Sequence, residues 1–305
     1  MSTSTSAPEF QTGPLLSGVG ALSQADAPVI EGLTNGLEKE VLAFLALRPL
    51  HTVWMAGLVR DNGLVSPLNR GTFYACRNDA GEIEGVALVG HATLFEARTS
   101  RALAAFARLA QSHARAHVLM GEQERVAQFW QHYSRGGQTA RVLSRAMLFE
   151  LRWPIGVRRS VKGLRLATLE DLSLVMPAQA AMACVESGIN PMQADPVGFR
   201  LRCARRIEQG RVWVLIEDGE LLFKADVLSE TPEVIYLEGV YISAHERGQA
   251  CGLRCMSQLS RTLLARAASV SLLINERNKD AQAFYQRAGF QYQCAYETIF
   301  FERAG

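Results

Sequence analysis

The sequence predicts an α/β protein of the α+β kind, built as two tandem copies of one fold. Three observations in its 305 residues carry that expectation. Each half runs through hairpin, helix, strand, helix and strand in the same order. The segment ERVAQFWQHY follows a short strand in the first half as KDAQAFYQRA does in the second, with Ala127-Gln128 matching Ala281-Gln282 and Trp130 matching Phe284. Between them PIGVRRSVKG, basic and opened by Pro154, interrupts the apolar periodicity as a linker does. The expected organisation is an N-terminal arm over 1–34, a first domain over 35–153, the linker over 154–163 and a second domain over 164–305.

In the arm, Ser, Thr, Pro and Gly crowd MSTSTSAPEFQTGP, which cannot bury enough surface to offset ordering. Next, NGLEKEVLAFLALRPLHTVWMAGLVRDNG spaces its apolar residues for two helices broken at Pro49. A short strand, an Asn-Asp-Ala-Gly turn and a longer strand follow in RGTFYACRNDAGEIEGVALVGHATLFEA. A helix from about Ser100 to His113, the apolar HVLMG, a helix around EQERVAQFWQHYS and a strand in ARVLSRAMLFELRW complete the half.

The second half opens with LRLATLEDL, where Thr168 and Asp171 have the spacing of a capping box. Helices are expected near 171–187 and 196–209, the latter begun by Asp195-Pro196. RVWVLIEDGELLFKADVLSE turns at Asp218-Gly219 as a hairpin, and EVIYLEGVYI adds a strand. Beyond a Gly-containing loop come a helix to about Ala267, the strand SVSLLIN, a helix from Lys279 to Ala288 and the strand FQYQCAYETIFF. Sixteen fewer residues separate Gly81 from Ala127 than Gly219 from Ala281, so the first copy is expected to lack one strand and the loop.

Composition excludes several functions. With 32 Lys plus Arg against 30 Asp plus Glu there is no basic footprint for nucleic acid. The six cysteines show no zinc-ligand spacing and the six histidines no helical pair, so no metal is expected. Scattered thiols fit a reducing cytoplasm, and no apolar run has the length of a signal core or membrane span.

The loop ISAHERGQACGLRC lies between a strand and a helix. A helix start offers unpaired backbone N–H groups and the positive end of the dipole, so a diphosphate is stabilised there when glycines let the chain approach. Arg247, Gly248, Gln249, Ala250, Cys251 and Gly252 supply such a turn, with charge from Arg247. Downstream stand Asn278, Ala281, Phe284, Tyr285, Gly289 and Phe290. Together these two motifs resemble those of the GNAT superfamily of acyl-CoA-dependent N-acyltransferases. The phosphate loop departs from the family pattern in having Ala250 where the first glycine stands, which removes no N–H donor. The resemblance covers about 164–303, and more faintly the first half, as in bacterial members where a further domain precedes the acyltransferase.

That resemblance implies tandem GNAT-like domains, each a mixed, mostly antiparallel sheet flanked by helices. It also implies acetyl-CoA or another acyl-CoA as co-substrate. Val240, Tyr241 and Ile242 would meet the pantetheine arm through main-chain atoms, residues 247–252 would hold the diphosphate, and Asn278 would bond near either. Tyr285 is the candidate acid for the departing thiolate, its competing role being a core aromatic; Gln131 stands opposite it in the first copy. Glu238, two residues before Val240 and so on its face, is the candidate base; the alternative is an ion pair with Lys224. The arginines at 200, 202, 205 and 206 read as a solvated helix face. The expected function is acetyl transfer to a primary amine of a small molecule or peptide, in the second half. The alternative is a binding module that senses acyl-CoA without turnover.

Overall fold

The computed structural model describes residues 29–302 except 114, 115, 155, 157–159, 248 and 249, so most of the expected arm and part of the linker lie outside the described residues. The first half comprises β1 (Val29–Gly32), α1 (Glu38–Leu45), α2 (Pro49–Asn62), β2 (Gly71–Arg77), β3 (Ile83–Gly90), β4 (Ala92–Ala97), α3 (Ser100–Gln111), β5 (Val118–Glu122), α4 (Gln123–Tyr133) and β6 (Ala140–Leu151). The second comprises β7 (Arg165–Leu166), α5 (Leu172–Ser187), α6 (Pro191–Ala194), α7 (Pro196–Glu208), β8 (Val212–Glu217), β9 (Glu220–Glu230), β10 (Val234–Ile242), α8 (Ala250–Leu264), β11 (Ser269–Asn275), α9 (Lys279–Arg287) and β12 (Gln291–Phe301).

Local chemistry sets many of these ends. Pro49 occupies the first turn of α2, where its missing N–H costs nothing. Thr168 and Asp171 form the expected capping box before α5, and Asp195 accepts from the Gly198 N–H to cap α7. Asp218 and Gly219 both have positive φ, 51° and 78°, which turns β8 tightly into β9.

Two sequence expectations are revised. Val29–Gly32, assigned to the arm, is an edge strand that pairs antiparallel with Tyr74–Arg77; four residues carry too little alternation to announce a strand. Among the described residues the first half also has as many strands as the second. Its apolar run from Ile83 breaks at Gly90 and His91 into β3 and β4, where a Cβ on Gly90 would come within 2.3 Å of Gly71 Cα and of the Arg70 carbonyl oxygen. Uninterrupted hydrophobicity concealed that corner.

All twelve strands join one sheet, in the order β1-β2-β3-β4-β5-β12-β6-β11-β10-β9-β8-β7. Only β4–β5 and β10–β11 are parallel; every other pair is antiparallel. The order reads the same from both edges if each half's elements are exchanged, a pseudo-twofold arrangement centred between β12 and β6. The last strands have changed places: β6 pairs with β11 of the second half, and β12 pairs with β5 of the first. Hydrogen-bond ladders therefore run across the boundary drawn at the linker.

Helices cover both faces. In the second half α8 and α9 pack with Phe223, Ile235, Leu237, Leu272 and Phe290 on one face, while α5 and α7 close over Val212 and Val214 on the other. In the first half α3 and α4 cover one face and α1 and α2 the other. Helix α2 reaches beyond its own half: Val53 and Trp54 meet Val234, Tyr236 and Leu273. Ser229 on β9 donates to the Val53 carbonyl at 2.5 Å, and a Cβ on Gly57 would lie 1.8 Å from Ser229 Oγ. Asp61 binds Arg211 through two bonds of 2.6 and 2.7 Å.

Gly57→Ala is expected to destabilise the protein, because overpacking of about 1–3 kcal/mol exceeds a helix-propensity gain of about 1 kcal/mol. Urea unfolding would show a lowered midpoint, recovered in large part by adding Ser229→Gly.

Candidate active site

The parallel pair β10–β11 holds together only from Val234↔Ser269 to Leu237↔Leu272. Beyond it β11 continues along β6 to Asn275, while β10 leans away with β9. The cause is a bulge. Register with β9 slips between Glu238 and Tyr241, and Gly239 takes φ +59°, a conformation that strains any residue with a Cβ. Among the described residues Val240, Tyr241 and Ile242 consequently pair with no strand on the β11 side, and their backbone groups there edge an open wedge.

The bulge corrects the inference that Glu238 and Val240 share a face. Val240 and Ile242 pack with the α8-side core, whereas Glu238 lies with Lys224 and Asp226 on the opposite face. An extra residue shifts the two-residue alternation, and a sequence alone carries no sign of it.

On that face a buried ionic cluster underlies the wedge. Lys224, fully buried, places its Nζ 2.6 Å from Asp226 Oδ1, an ion pair without hydrogen-bond geometry at that oxygen. The same ammonium donates to Gln179 Oε1 at 2.7 Å and to the Gly239 carbonyl at 3.2 Å, and so grips the bulge itself. Arg206 Nη1 stands 2.9 Å from Asp226 Oδ2 and 3.7 Å from Glu238 Oε2. Burial alone would lower the Arg206 pKa, but Glu238 and Asp226 outweigh it and the net shift is upward. The ion-pair partner of Glu238 is therefore Arg206, not Lys224, and the carboxylate is about a third exposed at 34%. Arg206, read from the sequence with 200, 202 and 205 as part of a solvated face, instead turns inward to Asp226; Arg205 bonds Asn62 and Arg202 bonds Asp195.

Helix α8 begins at Ala250, beside the wedge. Gly248 and Gln249 lie outside the described residues. Arg247 is exposed and donates through Nε to the Ile242 carbonyl at 3.3 Å. Ala250 is exposed, Cys251 half-buried and Gly252 buried. Gly252 has a packing reason as well as any role toward phosphate: a Cβ there would lie 2.6 Å from Ile242 Cδ1, so glycine lets the helix start press against β10.

Asn278 caps α9 by accepting from the Ala281 N–H at 3.0 Å, which commits its carbonyl oxygen to the helix. Tyr285, two turns on, is buried between Phe284 and Phe290, with ring centroids 5.1 and 5.6 Å away. Among the described residues its hydroxyl has no hydrogen-bond partner, and burial raises its pKa strongly. The phenol thus stays protonated across the neutral range.

The first half repeats the wedge without the loop. Strands β4 and β5 pair only at Ala92↔Val118 and Thr93↔Leu119 and then part. Helix α3 follows β4 at once, and Thr99 spends its hydroxyl on the Ala102 N–H. This wedge opens on a pocket lined from both halves, by Trp54, Leu94, Met120 and Glu122 together with Tyr236 and Tyr296. Sequence reasoning passed over it, since its polar groups come from segments too far apart to form a motif.

Residues 208–292 match the acetyltransferase (GNAT) domain family. No curated protein matches the chain in sequence. Solved structures resemble it in fold: a GNAT-family acetyltransferase from Colwellia psychrerythraea (TM-score 0.57, 13% identity, 90% of this chain and 100% of that one). A Drosophila protein superposes with a TM-score of 0.64 at 13% identity, over 91% of this chain and all of the other. A tandem GNAT protein from the clavulanic acid biosynthesis pathway superposes with a TM-score of 0.57 at 15% identity, over 91% and 99%. Among the described residues no helix is long and apolar enough to cross a membrane.

Lys224→Met is expected to cost about 3 kcal/mol, the low end for breaking a buried ion pair because Arg206 still compensates Asp226. Chemical denaturation would measure it, and Asp226→Leu in the same chain should return part of the loss.

Proposed function

From the match of residues 208–292 to the acetyltransferase (GNAT) domain and the fold shared with GNAT structures, we propose that the chain transfers an acetyl group from acetyl-CoA directly to a primary amine of a small molecule or peptide. The observation that carries this is the parting of β10 from β11 beside the start of α8, with Tyr285 on the next helix. In this reading Val240, Tyr241 and Ile242 bond the pantetheine arm through backbone groups, and residues 247–252 hold the diphosphate at the helix start. The Nδ2 of Asn278, whose oxygen caps α9, remains available to the cofactor. The first half takes no diphosphate and shapes the acceptor side through α2.

The amine nitrogen attacks the thioester carbonyl carbon, the C–S bond breaks, and the thiolate takes a proton from Tyr285. Glu238 accepts the proton the amine loses, directly or through water; its exposure gives it access and Arg206 orients it. Burial raises the Tyr285 pKa, which keeps the phenol protonated on entry but makes it a weaker acid, so its part in the acid role is to hydrogen-bond the sulfur as the C–S bond breaks. Its tight packing between two phenylalanines favours a second reading, an acyl-CoA sensor in which Tyr285 only fills the core. Reaction in the cytoplasm, where acyl-CoA is made, fits both.

Isothermal titration with acetyl-CoA tests the cofactor. Ala250→Asp should weaken binding at least tenfold by setting a carboxylate where the diphosphate sits, while helix-dipole complementarity leaves stability unchanged or slightly higher. Absence of binding by the unaltered protein would defeat the transferase and the sensor alike. Screening amines by release of free CoA thiol identifies the acceptor. With that acceptor, Tyr285→Phe should keep affinity and slow turnover about 100-fold or more; unchanged turnover would leave the sensor's packing role. Ionisation of the phenol should not depress the rate below about pH 10, the ordinary tyrosine value.

A further inference from the structure

Away from that site, three metal-ligating side chains meet at the first-half wedge: His51 from α2, Glu122 from the end of β5 and Cys294 from β12. Among the described residues this is the one such trio, with its ligand atoms all within 4.8 Å of one another. All three are half-buried. His51 Nδ1 stands 3.7 Å from Glu122 Oε1 and 2.9 Å from the Tyr296 hydroxyl. The other Glu122 oxygen, Oε2, is anchored by Arg48 at 2.6 Å, which fixes the carboxylate with Oε1 toward the histidine. Arg48 also binds Glu96 through both carboxylate oxygens, at 3.2 and 3.0 Å, and Arg125 contacts Glu96 as well. Glu96 thus meets one of their two positive charges, and Arg48 shares the rest with Glu122.

We propose that His51, Glu122 and Cys294 bind a zinc ion, with the Tyr296 hydroxyl beside the fourth position. One nitrogen, one oxygen and one sulfur form a borderline-soft donor set suited to that ion. Bond lengths of about 2.0–2.3 Å set tetrahedral donors roughly 3.3–3.6 Å apart, so the side chains need close by about an ångström. Thiolate and carboxylate together neutralise a divalent charge. The Arg48 bond to Glu122 is the outer contact that orients a ligating carboxylate. A cysteine ligates as the thiolate, so the Cys294 thiol would give up its proton to the ion and binding would release protons. Such an ion would clip α2 and β5 of the first half to the exchanged strand of the second.

Cobalt(II) serves as the probe, added alone to the full-length protein stripped of metal by a chelator. The expected result is one ion per chain, with visible bands of tetrahedral cobalt, a thiolate-to-cobalt charge-transfer band and a raised thermal midpoint. Cys294→Ser should abolish the charge-transfer band, and Glu122→Gln should weaken binding at least tenfold while the thiolate band persists at saturation. No stoichiometric binding by the unaltered protein would overturn the proposal. So would a charge-transfer band that survives Cys294→Ser, since one of the other five cysteines would then be the ligand. Neither readout depends on acetyl-CoA, so failure here is separate from failure of the transferase.

Discussion

The antiparallel ladder between β12 and β6, from Gln291↔Glu150 to Phe301↔Ala140, is the constraint from which the architecture follows. Because the two final strands lie side by side at the centre, each must pair on its other edge with the opposite half. That forces one continuous sheet and relates the halves by a pseudo-twofold axis. It also makes each wedge a joint product: β6 flanks β11 where the second wedge opens, and β12 flanks β5 where the first does. Docking of α2 onto β9 and β10 adds a side-chain interface to this backbone exchange.

Within the second wedge, backbone shape rests on a charge placed underneath it. A lysine fully removed from water is costly unless its partners are fixed, and Lys224 has three: Asp226, Gln179 and the Gly239 carbonyl. The last is the peptide of the bulge, so the ionic cluster and the departure of β10 from β11 stabilise each other. Arg206 joins the cluster to Glu238 and links the helix above the sheet to the proposed base. The first wedge has the same opening and, among the described residues, no such bulge cluster; Thr99 accepts from the Ala102 N–H at its helix start. Matching backbones thus carry different chemistry.

Much of this was legible in the sequence. Capping residues, the Asp218-Gly219 hairpin and the paired helices around Ala127-Gln128 and Ala281-Gln282 gave the element order, since those signals are local. The resemblance carried by Arg247, Gly252, Asn278 and Tyr285 located the wedge and the helix beside it. Three things were hidden, each for a physical reason. Alternation states which face a side chain takes but not which strand lies alongside, so the exchange of β6 and β12 left no trace. A bulge is one surplus residue among many that fit, so Glu238 and Val240 were set on one face. Pairing of a charged residue depends on distance in space, so Glu238 was matched with Lys224 when Arg206, on another element, was nearer.

The exchange has a further consequence during synthesis. A chain made from its N-terminus completes β5 long before residues 291–301 exist, so the first half has an unpaired strand edge throughout translation of the second. Such an edge invites pairing with other chains. That edge is sealed only when residues 291–301 have emerged and reached β5.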